Sequence, residues 1–337
     1  MLKIKTAVLS LALCTALPVS AGTLSDIQKK GELTCGVSEG TPGFSNPDST
    51  GRWVGLDVDI CRAVSAAVLG DPDKIKFVPL ASKQKIIALS SGQVDMTSRT
   101  TTWTMKRDTK EAVDFTSIVY YDGQGFMVKS SLGIASAKEL DGASVCVTTG
   151  TTTELNLADF ARANGIKFEA VVFEGKKEAF NSYKKGRCDA FTTDMSQLAS
   201  WRSTLPNGSD HVILNDVISK EPLSPLVRHG DNQWKDVVTW VVNGLIEAEE
   251  KGVTQANVAD QADNSTDPTV QRMLGVSGDM GGYLGLDKDW LKRTISSVGN
   301  YGEVYERNLG AKTRLKLERG INALWTQGGL LYSPPIR

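Results

Sequence analysis

Net charge is what this 337-residue sequence most lacks: 38 Lys+Arg stand against 39 Asp+Glu, a formal −1. That balance excludes a nucleic-acid binder that works through bulk charge. Histidine is scarce, with only His211 and His229, both in polar stretches that read as solvated. Little material is left for His-based acid–base chemistry. None of the five cysteines forms a CxxC-like cluster, so spacing argues against zinc, and neither a metal nor another cofactor is expected. No GxSxG nucleophile elbow occurs. Long linkers, short fixed repeats and runs of like charge are also missing. After residue 21 no uninterrupted apolar stretch approaches membrane-spanning length. The chain has 40% hydrophobic and 23% charged residues, with 32 Gly to 11 Pro, which are ordinary globular proportions. Its length favours two domains or lobes over one core.

The first 21 residues have a pattern of their own. Lys3 and Lys5 precede an apolar run from Ala7 to Leu17, Pro18 breaks it, and Val19-Ser20-Ala21 ends in small residues. This is the pattern of a secretory signal peptide, and the run is too short to span a bilayer as a helix. Cleavage after Ala21 is expected to remove both lysines and Cys14, leaving a soluble, exported, mildly acidic chain. Four cysteines remain: Cys35, Cys61, Cys146 and Cys188. An even number in an oxidising compartment invites disulfides, and four allow three pairings.

Further on, short apolar runs alternate with helical patterns, the signature of an α/β protein. Strands are expected at Glu32–Ser38, Ile75–Leu80 and Val94–Ser98. Helices fall between them at Asp57–Leu69 and, capped by Ser82, through Ile86, Ile87 and Leu89 to Gly92. The pattern recurs with strands at Ala143–Thr148, Phe168–Phe173 and Cys188–Thr193. Its helices run from Thr151 to Asn164 and from Lys176 to Lys185. Thr151 and Glu154 have capping-box spacing. Each stretch is strand–helix–strand–helix–strand, the unit of a parallel sheet, so two α/β lobes are expected. The last third reads as helical, led by an apolar face from Gln233 to Lys251.

The loop after the third strand, Arg99-Thr100-Thr101-Thr102-Trp103-Thr104-Met105-Lys106-Arg107, concentrates guanidiniums and hydroxyls. Arg binds carboxylates bidentately and Thr adds donors to the same oxygens. The equivalent loop of the second stretch is Thr149-Gly150-Thr151-Thr152-Thr153, at a helix N-terminus that favours an anion. Asp194 ends the next strand. All three lie at carboxyl ends of strands, the usual ligand edge of an open α/β sheet. Together they read as a receptor for an amino-acid zwitterion. Taken singly, each has a plainer reading: a Thr-rich turn, an Arg107–Asp108 surface pair, and Asp194 as a helix cap.

Seven segments carry a resemblance: GRWVGLDVDICRAV from Gly51, SGQVDMTSRTTTWTMKRD from Ser91, YYDGQGFMV from Tyr120, TTGTTTELNLADF from Thr148, GRCDAFTTDMSQLA from Gly186, SKEPLSPLVRHGDNQW from Ser219 and GNYGEVYERNLG from Gly299. In this order they resemble the amino-acid-binding periplasmic proteins of ABC importers, in the larger general L-amino-acid branch. The resemblance implies a two-lobed Venus-flytrap fold with two crossover strands and a helical C-terminal extension. Lobe 1 would hold residues 22–125 and 226–337, and lobe 2 residues 126–225. It implies Arg107 and Thr102 on the ligand's α-carboxylate, with Thr100 and the Thr152 N–H beside them. Asp194 would take the α-ammonium, and Arg99 would meet the side chain or an ion pair at the cleft mouth, favouring acidic or amide ligands. The family's aromatic clamp is replaced here by Thr41 and Ser82, with Phe44, Trp53 and Trp103 as candidate substitutes, although core packing is the favoured role for Trp53. The lobes sort the cysteines into Cys35–Cys61 and Cys146–Cys188. The implied partners are an L-amino acid and an inner-membrane ABC permease, with no nucleic acid, and the chain is expected to act as a monomer. The rival reading is an exported enzyme on the same fold, of the cyclohexadienyl dehydratase kind, since fold alone does not settle function.

Overall fold

The computed structural model describes residues 22–337. The expected signal peptide and Cys14 lie outside the described residues. After α1 (Thr23–Lys30) the chain forms β1 (Leu33–Val37), a short pair β2 (Asn46–Pro47) and β3 (Trp53–Val54), then α2 (Leu56–Leu69), β4 (Ile75–Pro79), α3 (Gln84–Ser90), β5 (Met96–Thr97), α4 (Met105–Lys110) and β6 (Val113–Phe115). Next, β7 (Tyr120–Asp122) leads into β8 (Gln124–Lys129), β9 (Ser144–Thr148), α5 (Thr152–Asn164), β10 (Glu169–Phe173), α6 (Lys176–Lys184), β11 (Ala190–Asp194), α7 (Met195–Arg202) and β12 (His211–Ile213). The return runs through β13 (Glu221–Leu223) and β14 (Leu226–Arg228) into α8 (Asn232–Glu250) and the helical tail.

Two five-stranded sheets result, ordered β4-β1-β5-β14-β6 and β10-β9-β11-β8-β12. Within each, the strands expected from the sequence pair in parallel, β1 with β4 and β5, and β9 with β10 and β11. The fourth strand of each sheet runs antiparallel to its neighbours, and in each case it is the strand that arrives from the other lobe. The expected parallel units therefore stand, and the crossing strand makes each full sheet mixed. β14 and β8 are short apolar segments whose direction is set by where the chain crosses. That crossing is a two-stranded ribbon, β7 against β13, with Glu221 opposite Asp122 and Leu223 opposite Tyr120. β8 joins the second sheet from Gln124, just ahead of the residue-126 boundary expected for lobe 2.

The cysteines are joined as Cys35–Cys61 and Cys146–Cys188, with Cα atoms 6.3 and 5.6 Å apart. The first ties β1 to α2. The second ties β9 to the residue leading into β11.

The tail does more than cover the core. α2 is buried on all sides rather than on one apolar face, because the helix Trp290–Val298 packs against it. Asp59 on α2 accepts from Arg307 Nε at 2.8 Å and Asn308 Nδ2 at 2.6 Å. The tail also reaches the crossing ribbon. Asn322 Oδ1 accepts from the Tyr121 N–H at 2.7 Å, and Asn322 Nδ2 donates to the Tyr121 carbonyl at 2.9 Å. One side-chain amide thus pairs with the free edge of β7 as a neighbouring strand would.

Two local expectations change. α3 begins at Gln84 with Lys83 at its cap position and no side-chain cap, so Ser82 does not cap it. Ser82 instead faces the cleft between lobes, and Ile87 is 69% exposed. His211 is half-buried, with Nδ1 2.7 Å from the Tyr183 hydroxyl, whereas His229 is exposed as expected, with Nδ1 2.9 Å from Asp114 Oδ1.

Candidate functional site between the lobes

The loop after β5 is held in an unusual shape. Thr100 has φ of +48°, in the left-handed region that β-branched residues avoid. Such a residue costs on the order of 1–3 kcal/mol and persists only where its surroundings hold it. Here Asp57, at the start of α2, accepts from the Ser98 hydroxyl at 2.9 Å and the Thr100 N–H at 3.5 Å. On the far side the loop is laced to β13: the Trp103 N–H donates to Pro222 O at 2.8 Å, and the Ser224 N–H to Thr101 O at 3.0 Å. Thr104 then caps α4, which buries Arg107. Arg107 Nη1 donates to the Thr102 carbonyl at 2.9 Å, so its guanidinium lies against the same loop.

From the second lobe, Thr151 caps α5 by accepting the Glu154 N–H at 3.2 Å. The capping box is half formed, because the Glu154 carboxylate takes the Gly150 N–H instead, at 2.8 Å. Gly150 has φ of +70°, and a Cβ there would sit 2.7 Å from Lys83 Cγ of the other lobe. Glycine permits both the turn and this close approach.

Asp194 occupies the cap position of α7 yet makes no capping bond. The reason is Asp122 on β7, which accepts from the Ser196 N–H at 3.4 Å and from the Ser196 hydroxyl. Asp194 is left to the cleft. Gln197 links it to Lys176: Nε2 donates to Asp194, and Oε1 accepts from Lys176 Nζ.

Arg99, Thr100, Thr102, Arg107, Thr151, Thr152 and Asp194, the residues singled out from the sequence, all line one cavity of about 20 Å³. Ser82, Lys85, Thr153 and Lys176 complete it. Glu221 joins its two halves from β13. Its carboxylate accepts from the Thr102 hydroxyl of one lobe, and from Thr152 Oγ1 at 2.9 Å and Asn156 Nδ2 at 2.7 Å of the other. Sequence reasoning missed Lys85, Lys176, Gln197 and Glu221. Each is one charged or amide residue within an ordinary helix or strand, with no local pattern to mark it.

The pocket's electrostatics follow from burial. The Asp194 carboxyl is pushed up to about 8 by desolvation first and by the Asp122 carboxylate next. Lys176 is pushed down to about 8 by desolvation and then by Arg99. Lys85 is driven well down by burial and by the nearby Arg107 and Arg99. Arg99 falls to about 10, again from burial, and stays charged.

Beyond Arg99 and Lys176 the cleft widens into a chamber of about 660 Å³, walled by Ser38–Thr41 and Ser82 on one side and by α6 and Trp201 on the other. Thr41 and Ser82 do line it, but the expected aromatic substitutes do not. Phe44 is fully buried and meets Tyr120 edge-on at 5.6 Å. Trp53 packs on Phe77, and Trp103 stacks on Phe115 at 5.3 Å. Phe44 is core, Trp53 packs against the core as expected, and Trp103, 38% exposed, is held on Phe115; Trp201 is the aromatic that reaches the chamber.

The profile of the bacterial extracellular solute-binding proteins, family 3, matches residues 33–256, which spans both sheets and the crossing ribbon. The chain belongs to that family. It is 53% identical over 328 residues to the glutamate/glutamine/aspartate/asparagine-binding protein of Rhodobacter capsulatus, covering 97% of each chain. It is 52% identical over 320 residues to the general L-amino acid-binding periplasmic protein of Rhizobium johnstonii, covering 94% of each. Among solved structures, a periplasmic binding protein of an ABC transporter from Brucella ovis, with glutathione bound, superposes with a TM-score of 0.92 at 53% identity, covering 94% of this chain and 100% of that one. The fold is therefore that of the two-lobed periplasmic binding proteins, as the segments from Gly51 to Gly310 led one to expect.

Proposed function

We propose that this solute-binding protein captures L-amino acids between its lobes in the periplasm, after loss of its leader, and hands them to an inner-membrane ABC permease. Its range includes acidic and amide side chains. The observation that carries this reading is the meeting of Arg107 and Asp194 in one buried pocket. A carboxylate on the buried Arg107 guanidinium and an ammonium on Asp194 satisfy each charge with its opposite, as a buried charge requires. Thr102, Thr100 and the N-terminal turn of α5 at Thr151 and Thr152 add donors to the carboxylate. The pocket also holds Arg99 and Lys176, and Arg99 is placed to meet a second negative group on the ligand.

The pocket's about 20 Å³ is little more than the space of one water, so entry requires the lobes to part. We assign the hinge to β7 and β13, between the lobe of residues 22–125 and 226–337 and the lobe of residues 126–225. Both halves of the site come from one chain, so the monomer is the unit of delivery. The charged groups read as a clamp rather than as catalytic acids. Relatives named as amino-acid-binding proteins and a relative solved with glutathione, whose glutamyl end is a complete amino-acid group, support the binding reading over the enzyme.

The test is a thermal-shift screen of the refolded, ligand-free mature chain against the common amino acids. A ligand at a hundredfold excess over its Kd stabilises the fold by about 2.7 kcal/mol. Upward shifts for several amino acids, with glutamate and aspartate among them, are expected; silence across the panel would overturn the reading.

Proton release on binding offers a second check. Asp194 folds with its carboxyl raised from 3.8 to about 8, under burial, Asp122 and Glu221, with Lys176 and Lys85 opposing. Its contribution to the ligand-free fold is thus full below its ordinary range and is lost as pH rises through about 8. A bound ammonium favours the ionised form. Capture is expected to release a proton near pH ~7, seen as an enthalpy that varies with the buffer's ionisation heat, with affinity rising towards pH ~8. Affinity flat across that window would remove Asp194 from the ammonium site.

A further inference from the structure

The clamp leaves one direction for the remainder of a ligand. Arg107 and Thr152 border a separate opening of about 630 Å³, so the α-carboxylate end closes that side. The opposite side passes Ser82, Arg99 and Lys176 into the 660 Å³ chamber. A water's share of liquid volume is about 30 Å³, so the chamber holds roughly twenty groups of that size, whereas a glutamyl side chain brings about five.

The chamber is also built for more than solvent. Lys177, Asn181 and Lys185 recur every four residues along α6 and face it as one stripe. Eight residues of helix rise about 12 Å, and three residues of extended peptide reach about 10 Å. Arg99 and Trp201, 2% and 5% exposed, also line it. Arg99, Lys176, Lys177 and Lys185 line it against only Glu39 and Glu178, so an anionic extension is favoured.

We propose that this chamber is an extension subsite for γ-linked glutamyl peptides, a proposal that rests on the zwitterion clamp described above. An α-linked peptide lacks either a free α-carboxylate or a free α-ammonium on the residue in the clamp. A chain that continues through the side-chain carboxyl as an amide keeps both. Its amides meet Arg99 and Trp201, and its terminal carboxylate meets Lys177 and Lys185, which are exposed and make no ion pair among the described residues.

Calorimetry on the ligand-free mature protein tests this with L-glutamate, γ-glutamylglycine, reduced glutathione and α-glutamylglycine, in wild type and in the double variant K177E/K185E. Wild type is expected to bind both γ-linked peptides and to reject the α-linked one. The double variant should lose about tenfold or more for glutathione while glutamate stays within about twofold. Glutamate binding without binding of either γ-linked peptide overturns the subsite and leaves the clamp standing, as does an equal loss for glutamate and glutathione in the variant. Binding of neither glutamate nor the peptides overturns the clamp and the subsite together.

Discussion

Arg107→Ala is expected to weaken every L-amino acid by about 3 kcal/mol or more, on the order of a hundredfold in Kd. The size follows from where the guanidinium sits. It is 8% exposed, so the carboxylate it would hold meets little competing water. Removing one member of such a buried pair leaves the other desolvated and alone. The loss should be uniform across side chains, because the α-carboxylate is common to all. Arg99→Ala should instead fall hardest on acidic ligands. Arg107→Lys keeps the charge but loses the two-pronged geometry, and should recover only part of the affinity. Since Arg107 Nη1 also supports the Thr102 carbonyl, far-UV circular dichroism of each variant accompanies the titration. An Arg107→Ala affinity within about threefold of wild type would place the carboxylate elsewhere in the pocket.

Removing the second disulfide should produce the largest change in stability. Cys146 and Cys188 are 42 residues apart in sequence. A closed loop of that length restrains the unfolded chain by about 4 kcal/mol on the chain-entropy account. Cys146→Ala with Cys188→Ala is therefore expected to lower the urea midpoint by that free energy, and reductant should reproduce the shift in the wild type. A loss below about 1 kcal/mol would mean that the bridge adds nothing to a lobe already held by its sheet. The double alanine change is preferred to serine, because both sulfurs are buried and a hydroxyl there would need a partner.

Much of the site was legible because its chemistry is local. The Thr100, Thr102 and Arg107 loop and the Thr151 and Thr152 loop each follow a strand and precede a helix. That context alone puts both at the same edge of their sheets. What escaped was set by distance in sequence. Glu221 looks like any residue of a returning strand until β13 lies beside the first-lobe loop, where it bridges Thr102 and Thr152. Asp194 was singled out from the sequence, but why it is free of its cap position was not legible: Asp122 of the distant β7 takes that task. Phe44 looked available for a ligand, and the core took it because burying an aromatic ring outweighs keeping it at a polar cleft; Trp103 stays partly exposed but is stacked on Phe115.

The sequence by itself determined the two α/β units, the helices between their strands and the residues at their ligand-facing ends. Those follow from periodicity, breakers and caps, which act over a few residues. The tertiary structure alone decided the antiparallel crossing strands, the Asn322 tie to β7, the burial of Lys85, the half-buried Lys176 and the chamber beyond Arg99. Each of these depends on which segments exclude water from one another. Desolvation decides whether a lysine is a surface charge or a shifted group in a pocket, and no neighbouring residue in the chain records it.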